Sequence, residues 1–557
     1  DTAIREIGKD VLQYQTLNVD NIAGATVTST ALKTAIAQAI EKAGGDIAAF
    51  QKPGSEKIKK VAGITKDSAD LIIVGAGGAG LSPAVTAKDL GVKNVLVLEK
   101  MPVIGGNTLR CASAFNAADP DRQKALPMTE TLKEAVVKAI SEKPVSEEHA
   151  KLMADVKAKY EAYLKSGSKT LFDCPEWHAL QTYNGGDKVG QIPLIRQYSN
   201  NVLDTLHWMQ SKGSPVMDRV SQGAGALWQR THQLDAPAGL GLIDPLYQSA
   251  VKQGVNFKLG MRVQDLILND KGRVIGVTAT DKVGNKYEFT SKDGVILATG
   301  GYSQNKEMRR KSAPHLTPEM VSTNQPGATG DGIVIATRHG ADTTVQVYPL
   351  ATPGTGALQG RARKMSGLDD VIDVNKNGER FVKEDARRDE FVAAIKKQPG
   401  GVVYDINDSS IVKPLNSFNE DVETLVSIGR IKADSLADLA KQLGMPADKL
   451  EATVAEFNKM VEAKNDPKFG RKLFDRPIVK PPFYATPRAP SIHHTMGGLQ
   501  ISTNAQVLDK NGKPIPGLYA AGEVTGGIHG SNRLGGNATA DVLTFGRIAA
   551  KSAVAHK

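Results

Sequence analysis

Apolar positions recur at helical spacing near both ends of the chain and form continuous strand-length runs between them. Leu32, Ile36 and Ile40 fall at i, i+4 and i+8, with Ala35 and Ala39 beside them, which makes one apolar helical stripe. Thr28, Ser29 and Thr30 just ahead of it are candidate N-caps. Residues 51–67, QKPGSEKIKKVAGITKD, are Lys-rich with Pro53 and Gly54, the composition of a linker. At Leu71-Ile72-Ile73-Val74 a β-type run opens a long α/β region. Residues 129–165, rich in Ala, Lys and Glu, predict surface helices; residues 255–300 predict short strands and turns. Residues 430–464 predict helices again, with Leu436, Leu439, Leu443 and Leu450 as core candidates.

The 557 residues suffice for several domains and an ample core. Lys+Arg (70) exceed Asp+Glu (60), but the excess is spread out and forms no dense basic tract. That argues against a nucleic-acid arm and for an anionic substrate or cofactor. Two cysteines, Cys111 and Cys174, cannot make a disulfide framework or a cysteine-rich metal site. No Cys-x-x-Cys-His occurs, so no covalent c-type haem is expected on this chain. No apolar run reaches the length of a membrane span, so no transmembrane anchor is expected. The chain opens on Asp1, which suits a removed leader or a trimmed terminus.

The 55 glycines cluster, and the clusters carry the chemistry. Leu71–Val74 runs into Gly75-Ala76-Gly77-Gly78-Ala79-Gly80, which fits G-x-G-x-x-G. The first glycine permits the tight turn, the second lets amides approach a pyrophosphate, and the third lets the helix pack on the strand. The helical stretch 81–90 comes next, so free N–H groups would face the phosphates. A second strand, Val95–Leu98, ends in Glu99, 19 residues after Gly80, placed to accept a ribose hydroxyl. The residues after Glu99 separate FAD from NAD. Lys100-Met101-Pro102 leads into a second glycine turn, Gly105-Gly106-Asn107-Thr108, typical of FAD folds. Two further strands run into small residues, at Ala298-Thr299-Gly300-Gly301 and Ala520-Ala521-Gly522-Glu523. Small residues there let a long, flat cofactor lie against backbone.

These motifs resemble the fumarate reductase/succinate dehydrogenase flavoprotein family, in particular its soluble bacterial branch, over nearly all of residues 69–557. The most specific pieces are Ser322-Thr323-Asn324-Gln325-Pro326-Gly327-Ala328-Thr329-Gly330-Asp331-Gly332, His493-His494-Thr495-Met496-Gly497-Gly498, and the stretch from Gly522-Glu523 through Gly530-Ser531-Asn532-Arg533-Leu534-Gly535-Gly536-Asn537. The resemblance implies an α/β FAD-binding Rossmann-like domain (69–343 and 494–557) with an inserted α+β clamp domain (344–493). It adds a small, partial FMN-binding domain over 1–50 and a linker over 51–68. It extends the expected contacts of a non-covalent FAD to Val263, Thr299, Gly300, Gly330, Asp331, His494, Gly522, Glu523, Gly536, Asn537 and Ala538.

The implied reaction is reduction of the activated C=C bond of an α,β-unsaturated carboxylate. Hydride passes from N5 of reduced FAD to the β-carbon, and a protein acid protonates the α-carbon. The carboxylate must be gripped, because its electron withdrawal activates the alkene, and bidentate arginine suits that task. By resemblance Arg533 and His493 hold it. The family's proton donor is an arginine. Here Arg388, in Arg388-Asp389 after Asn377-Gly378-Glu379-Arg380-Phe381, is expected in that role, with Arg387 as its rival. A guanidinium can serve only if a relay reloads it and water is excluded; Asp369 and Asp370 are relay candidates.

One stretch departs from the family. Fumarate reductases carry His-Pro and then Thr-Glu with a nearby Arg before the acid; here Val347-Tyr348-Pro349 and Leu358-Gln359-Gly360-Arg361-Ala362-Arg363-Lys364-Met365 stand there. Tyr348 is therefore expected to contact a different substrate tail, which favours a urocanate-like or other monocarboxylate 2-enoate over fumarate. Arg361, Arg363 and Lys364 are either a second anion site or surface charge. At the other end, Asp20-Asn21-Ile22-Ala23-Gly24-Ala25-Thr26-Val27-Thr28-Ser29 resembles the motif at which a flavin transferase joins FMN to threonine. Thr26 is the first choice for attachment and Thr28 the second, with the phosphate near a helix N-terminus. Electrons would then run from a quinol-linked cytochrome or similar donor through FMN and FAD to the alkene, in periplasmic anaerobic respiration. The competing readings are a fumarate reductase, a dehydrogenase or oxidase on the same fold, and a flavin electron-carrier module without its own substrate chemistry.

Overall fold

The computed structural model describes residues 2–14, 16–22, 25–51, 61–223, 228–313, 320–344, 349–351, 371–410, 415, 420–474 and 476–555. Its main body is an eight-stranded mixed sheet. Ile64–Val74 lies between Val95–Glu99 and Lys286–Leu297, parallel to both. Asn256–Leu259 and Pro514–Ala520 extend the parallel set on either side. The hairpin Arg262–Leu268/Val274–Thr280 joins antiparallel through Lys286–Leu297, and Gln506–Leu508 through Pro514–Ala520. Leu71, Ile72, Ile73, Val95, Val97 and Ile296 are all buried, as continuous apolar strands covered on both faces must be. The helices Gly78–Asp89 and Asn537–Ala555 pack against each other beside this sheet.

The linker expected over 51–67 is shorter than the composition suggested. Ile64–Ala69 already pair with Lys286–Ser291, and the ladder slips once before Leu71. Between Ile64 and Ala69 these residues are polar, and the segment is largely exposed, so it carries no alternating apolar signal; backbone pairing makes it strand. Val61 N–H also donates to Asn285 Oδ1 at 2.8 Å, tying the segment to the turn just before Lys286–Leu297.

At the N-terminus, helices Thr2–Tyr14 and Thr26–Lys42 share a small core of Ala3, Ile7, Val11, Leu17, Val19 and Ile22. Leu32, Ile36 and Ile40 pack on it as the stripe predicts, and Val103 of the main body joins them. The expected caps fail. The helix starts at Thr26, Ala25 stands at the N-cap without a side-chain bond, and Ser29 Oγ instead accepts from Ile22 N–H at 3.0 Å. Among the described residues, 1–50 make this helical unit alone, and no separate FMN-binding domain is evident.

A second sheet stands apart in the sequence. Ile372–Val374, Val403–Asp408, Phe483–Arg488 and Ile431–Ala433 pair antiparallel in that order. Helices Leu436–Leu443 and Ala447–Ala463 close over it, around Ile372, Ile406, Leu439, Leu450, Val454 and Phe457. Ser435 caps the first by accepting from Asp438 N–H, and Gly444 ends it in the left-handed region (φ 67°). The chain segments leading into and out of this unit pair with each other, Leu350 opposite His494.

Candidate active site

The glycines of the first turn divide by what a side chain would meet. A Cβ at Gly75 would collide with the Ala298 carbonyl, and one at Gly80 with the Gly75 carbonyl. Those two are required by the protein's own packing. At Gly77 a Cβ would find nothing nearer than Gly105 O at 3.8 Å. Its open side is a cleft of about 830 Å³, counting solvent at its mouth. That cradle, at a strand-to-helix turn, fits a pyrophosphate and hence FAD.

Of the predicted contacts, Gly75, Gly77, Gly78, Ala79, Glu99, Lys100, Gly106, Asn107, Thr108, Val263, Thr299, Gly300, Asp331 and Glu523 line this cleft. Gly80, Gly105, Gly330, Gly522 and Gly536 do not line it; a Cβ at each would meet other protein atoms instead. Asn537, at the start of a helix, points away: its Oδ1 accepts from Asn116 Nδ2 at 2.8 Å and its Nδ2 donates to Thr182 Oγ1 at 3.0 Å. Ala538 lies half-buried in the same turn. Gln325, within the Ser322–Gly332 motif, lines the cleft as well, and so do Arg262 and Val542, which carried no motif signal.

The Glu99 carboxylate accepts from the N–H groups of Ala76 and Met101, both at 2.8 Å, while burial pushes its pKa up. It retains lone pairs for further donors. Lys100 Nζ donates to Thr329 Oγ1 at 2.6 Å and meets Asp331 at 3.1 Å, and Arg262 Nε holds the same aspartate at 3.0 Å. Burial opposes the ionisation of Asp331, and these partners overcome it and hold its pKa down.

The other end of the cleft is built differently. Glu523 Oε1 accepts from Thr495 N–H at 2.9 Å and Thr495 Oγ1 at 3.0 Å, and burial raises its pKa. His494 Nδ1 lies 3.6 Å from Glu523 Oε2, and its ring meets His529 edge-on at 5.5 Å. Burial, then the positive charge of Arg533 and the neighbouring His529, His493 and Arg388, drives the His494 pKa well below its ordinary value. A neutral imidazole thus sits inside a ring of cationic and titratable groups. His493 Nδ1 pairs with Thr323 Oγ1 at 2.7 Å, which orients its ring.

Arg533 is 7% exposed. Its Nη1 donates to the Leu534 carbonyl at 3.1 Å, and its Nε finds no hydrogen-bond partner among the described residues. Among the same residues it forms no ion pair, and burial lowers its pKa. A buried guanidinium left this way costs several kcal/mol until an anion reaches it.

Arg388 opens the helix Arg388–Lys396 and is half-buried. Arg387, its rival, is committed elsewhere: it pairs with Asp187 and Asp389, which raises its pKa. Upstream, Arg380 holds Glu384 and Asp466 at 2.8 and 2.9 Å, and Arg471 holds Glu384 at 3.1 Å, all four buried. This network anchors the segment that delivers Arg388. Tyr348, Arg361, Arg363, Lys364, Asp369 and Asp370 lie outside the described residues. Thr26 is exposed at the first position of its helix and Thr28 is half-buried. No cluster of metal-ligating side chains occurs among the described residues.

The FAD binding domain family matches residues 70–163 and 159–539. NADH:acrylate oxidoreductase of Vibrio harveyi is 38% identical over 99% of this chain, which spans 57% of that protein's length. Fumarate reductase (cytochrome) of Shewanella frigidimarina is 35% identical over 91% of the chain and 81% of its own length. Urocanate reductase of Eggerthella lenta is 33% identical over 98% of the chain and 84% of its own length. The open conformation of a flavocytochrome c3 fumarate reductase superposes with a TM-score of 0.67 at 32% identity, covering 92% of this chain and 84% of the other. A glycine cradle open to a dinucleotide, a buried cation awaiting an anion and these likenesses lead to one conclusion: the chain belongs to the FAD-binding fumarate reductase/succinate dehydrogenase flavoprotein family.

Proposed function

We propose that the protein is an FAD-dependent oxidoreductase that reduces the C=C bond of a small α,β-unsaturated carboxylate. The observation that carries this reading is Arg533, a buried cation without an ion-pair partner among the described residues, set beside the two histidines at the Glu523 end of the cofactor cleft. Bound FAD supplies the hydride. Arg533 and His493 grip the substrate carboxylate, which withdraws electrons from the alkene. His494 stays neutral and adds no charge beside the reacting carbons. Arg388 delivers a proton to the α-carbon, and the sheet unit within 344–493 acts as a clamp that excludes water. A relative solved in an open conformation supports such movement.

Fumarate is the first substrate to test, because a curated relative and the superposed structure are fumarate reductases. A monocarboxylate 2-enoate is the second reading; Tyr348, the missing Thr-Glu and the acrylate and urocanate relatives favour it. A cytochrome donor follows the Shewanella relative's name, and an NADH-linked donor follows the Vibrio relative's. Covalent FMN at Thr26 stays part of the reading because that hydroxyl is exposed at a helix N-terminus, where a phosphate is favoured. Flavin fluorescence surviving denaturation in wild type and absent in Thr26→Ala supports it; equal loss in both removes it.

The deciding experiment is anaerobic reoxidation of the reduced, FAD-loaded protein by fumarate, acrylate, urocanate, methacrylate and cinnamate in turn. Rapid reoxidation by fumarate assigns a dicarboxylate reductase. Reoxidation by the monocarboxylates with fumarate inert assigns the second reading. Inertness towards all of them overturns the proposal.

A further inference from the structure

Arg387 and Asp187 meet across 200 positions of sequence. The guanidinium grips the carboxylate with two prongs, Nη1 to Oδ1 at 2.7 Å and Nη2 to Oδ2 at 3.1 Å. Its Nε and Nη2 also hold Asp389, at 3.1 and 2.9 Å. Planar, bidentate pairing of this kind fixes orientation as well as distance.

Asp187 follows the helix Pro175–Gly185 and takes a left-handed conformation, φ 60°. The turn is wedged under 529–531. A Cβ at Gly186 would stand 2.7 Å from the His529 carbonyl, and one at Gly530 would collide with the Gly186 carbonyl. Ser531 N–H donates to Gly186 O at 3.1 Å, and Ser531 Oγ donates to Asp187 Oδ2. The hydrogen bond from Arg387, helped by Ser531, holds the Asp187 carboxyl below the usual range against its burial. The carboxylate is therefore preset on the FAD-binding side.

The neighbours in sequence give this pair its meaning. Arg387 directly precedes Arg388, and Ser531 lies two residues before Arg533. One hydrogen-bonded ion pair thus ties the backbone of the expected proton donor to that of the expected carboxylate grip. One turn into the helix Arg388–Lys396, Val392 packs with Ala313, Met320 and Ile492. From the start of this helix Arg387 reaches across to Asp187.

We propose that Arg387, Asp187 and Ser531 form a latch that sets Arg388 against Arg533 across the substrate. These are positioning residues, and the inference rests on the proposed role of Arg388 as proton donor. The pair is 35% and 42% exposed, so as a pure stability element it contributes little. Its effect belongs in the geometry of the closed site.

The test pairs turnover with an activity-free readout on the FAD-loaded protein. Asp187→Asn keeps the size and the turn and removes the charge. It is expected to lower kcat by about fivefold, with KM nearly unchanged. Wild-type turnover should fall with added salt, and that dependence should flatten in the variant while the melting temperature holds. Arg387→Lys restores the charge without the fork and should recover part of kcat; Arg387→Met should match Asp187→Asn. Amide exchange over 383–396 should quicken in Asp187→Asn. Wild-type kcat, salt profile and exchange in that variant would overturn the latch, as would a lowered melting temperature with kcat intact. If the wild type reduces no enoate, the functional reading fails, and exchange alone still decides the latch: release of 383–396 supports it, and unchanged protection overturns it.

Discussion

The two ends of the cofactor cleft differ in how finished they are. At the Gly77 end each charge already has its partner: Lys100 and Arg262 share Asp331, and Glu99 accepts from two backbone N–H groups. At the Arg533 end a guanidinium is buried with its Nε unbonded among the described residues, and a neutral histidine sits among cationic and titratable neighbours. The first is a frame stable by itself, shaped by backbone. The second tolerates unpaired polarity that only an anionic ligand relieves. A site that binds a resident cofactor can be complete in advance; a site that must bind, activate and release a substrate keeps its charge unspent.

The comparison breaks most visibly at Arg533. Arg533→Met is expected to lower kcat/KM for the substrate by about 100- to 1,000-fold, the loss of a charged bidentate grip. FAD content should stay the same, and the melting temperature should hold or rise, because an unpaired buried cation is removed. Reoxidation assays with parallel thermal melts check both parts. A falling melting temperature would mean that Arg533 is a structural charge.

The frame end is tested by two glycines. Gly77→Ala should leave the apoprotein's melting temperature unchanged and weaken FAD binding by about tenfold or more, because its Cβ enters only the cleft. Gly80→Ala should destabilise the apoprotein itself, since its Cβ meets the Gly75 carbonyl. Flavin titration and apoprotein melts separate them, and equal behaviour would erase the distinction.

Acid sharpens the contrast. His494 is held well below the ordinary 6.5, so below that pH the unfolded chain takes up a proton that the folded site refuses. Its contribution to stability is therefore lost as pH falls from 6.5, with a slope of at most about 1.4 kcal/mol per pH unit. Glu523 has the opposite sign. Its raised pKa means that the folded protein holds the proton better, so its contribution is present below the ordinary 4.5 and is lost as pH rises through the folded value. His494→Gln should flatten the melting profile just below pH 6.5; an unchanged profile would show that the imidazole is not held neutral. The smallest effect is expected at Lys100, whose partner Asp331 keeps Arg262. Lys100→Met should weaken FAD by less than about threefold by the same titration.

Much of the frame was legible in the sequence. The run Leu71–Val74, the glycine turn and Glu99 lie within one βαβ stretch, and their constraints pass between near neighbours. The helices at 130–141, 147–165, 436–443 and 447–463 followed from composition and apolar spacing. The strand Ile64–Ala69 did not, because a mostly polar, exposed segment becomes strand there by pairing with Lys286–Ser291. The caps before Thr30 failed because Ser29 found a better use, accepting from Ile22 N–H.

By itself the sequence marked the cofactor cradle and nominated Arg388, Arg533, His493 and His494 for the proposed substrate end. Backbone conformation at a glycine turn and the spacing of a strand and helix are local matters. What Arg387 pairs with was decided only in three dimensions. Nothing in the neighbouring letters ties Arg387 to Asp187, 200 residues away, which is held in reach by a turn packed beneath Ser531. Charge acts through space, so the meaning of a charged residue depends on what folding brings opposite it.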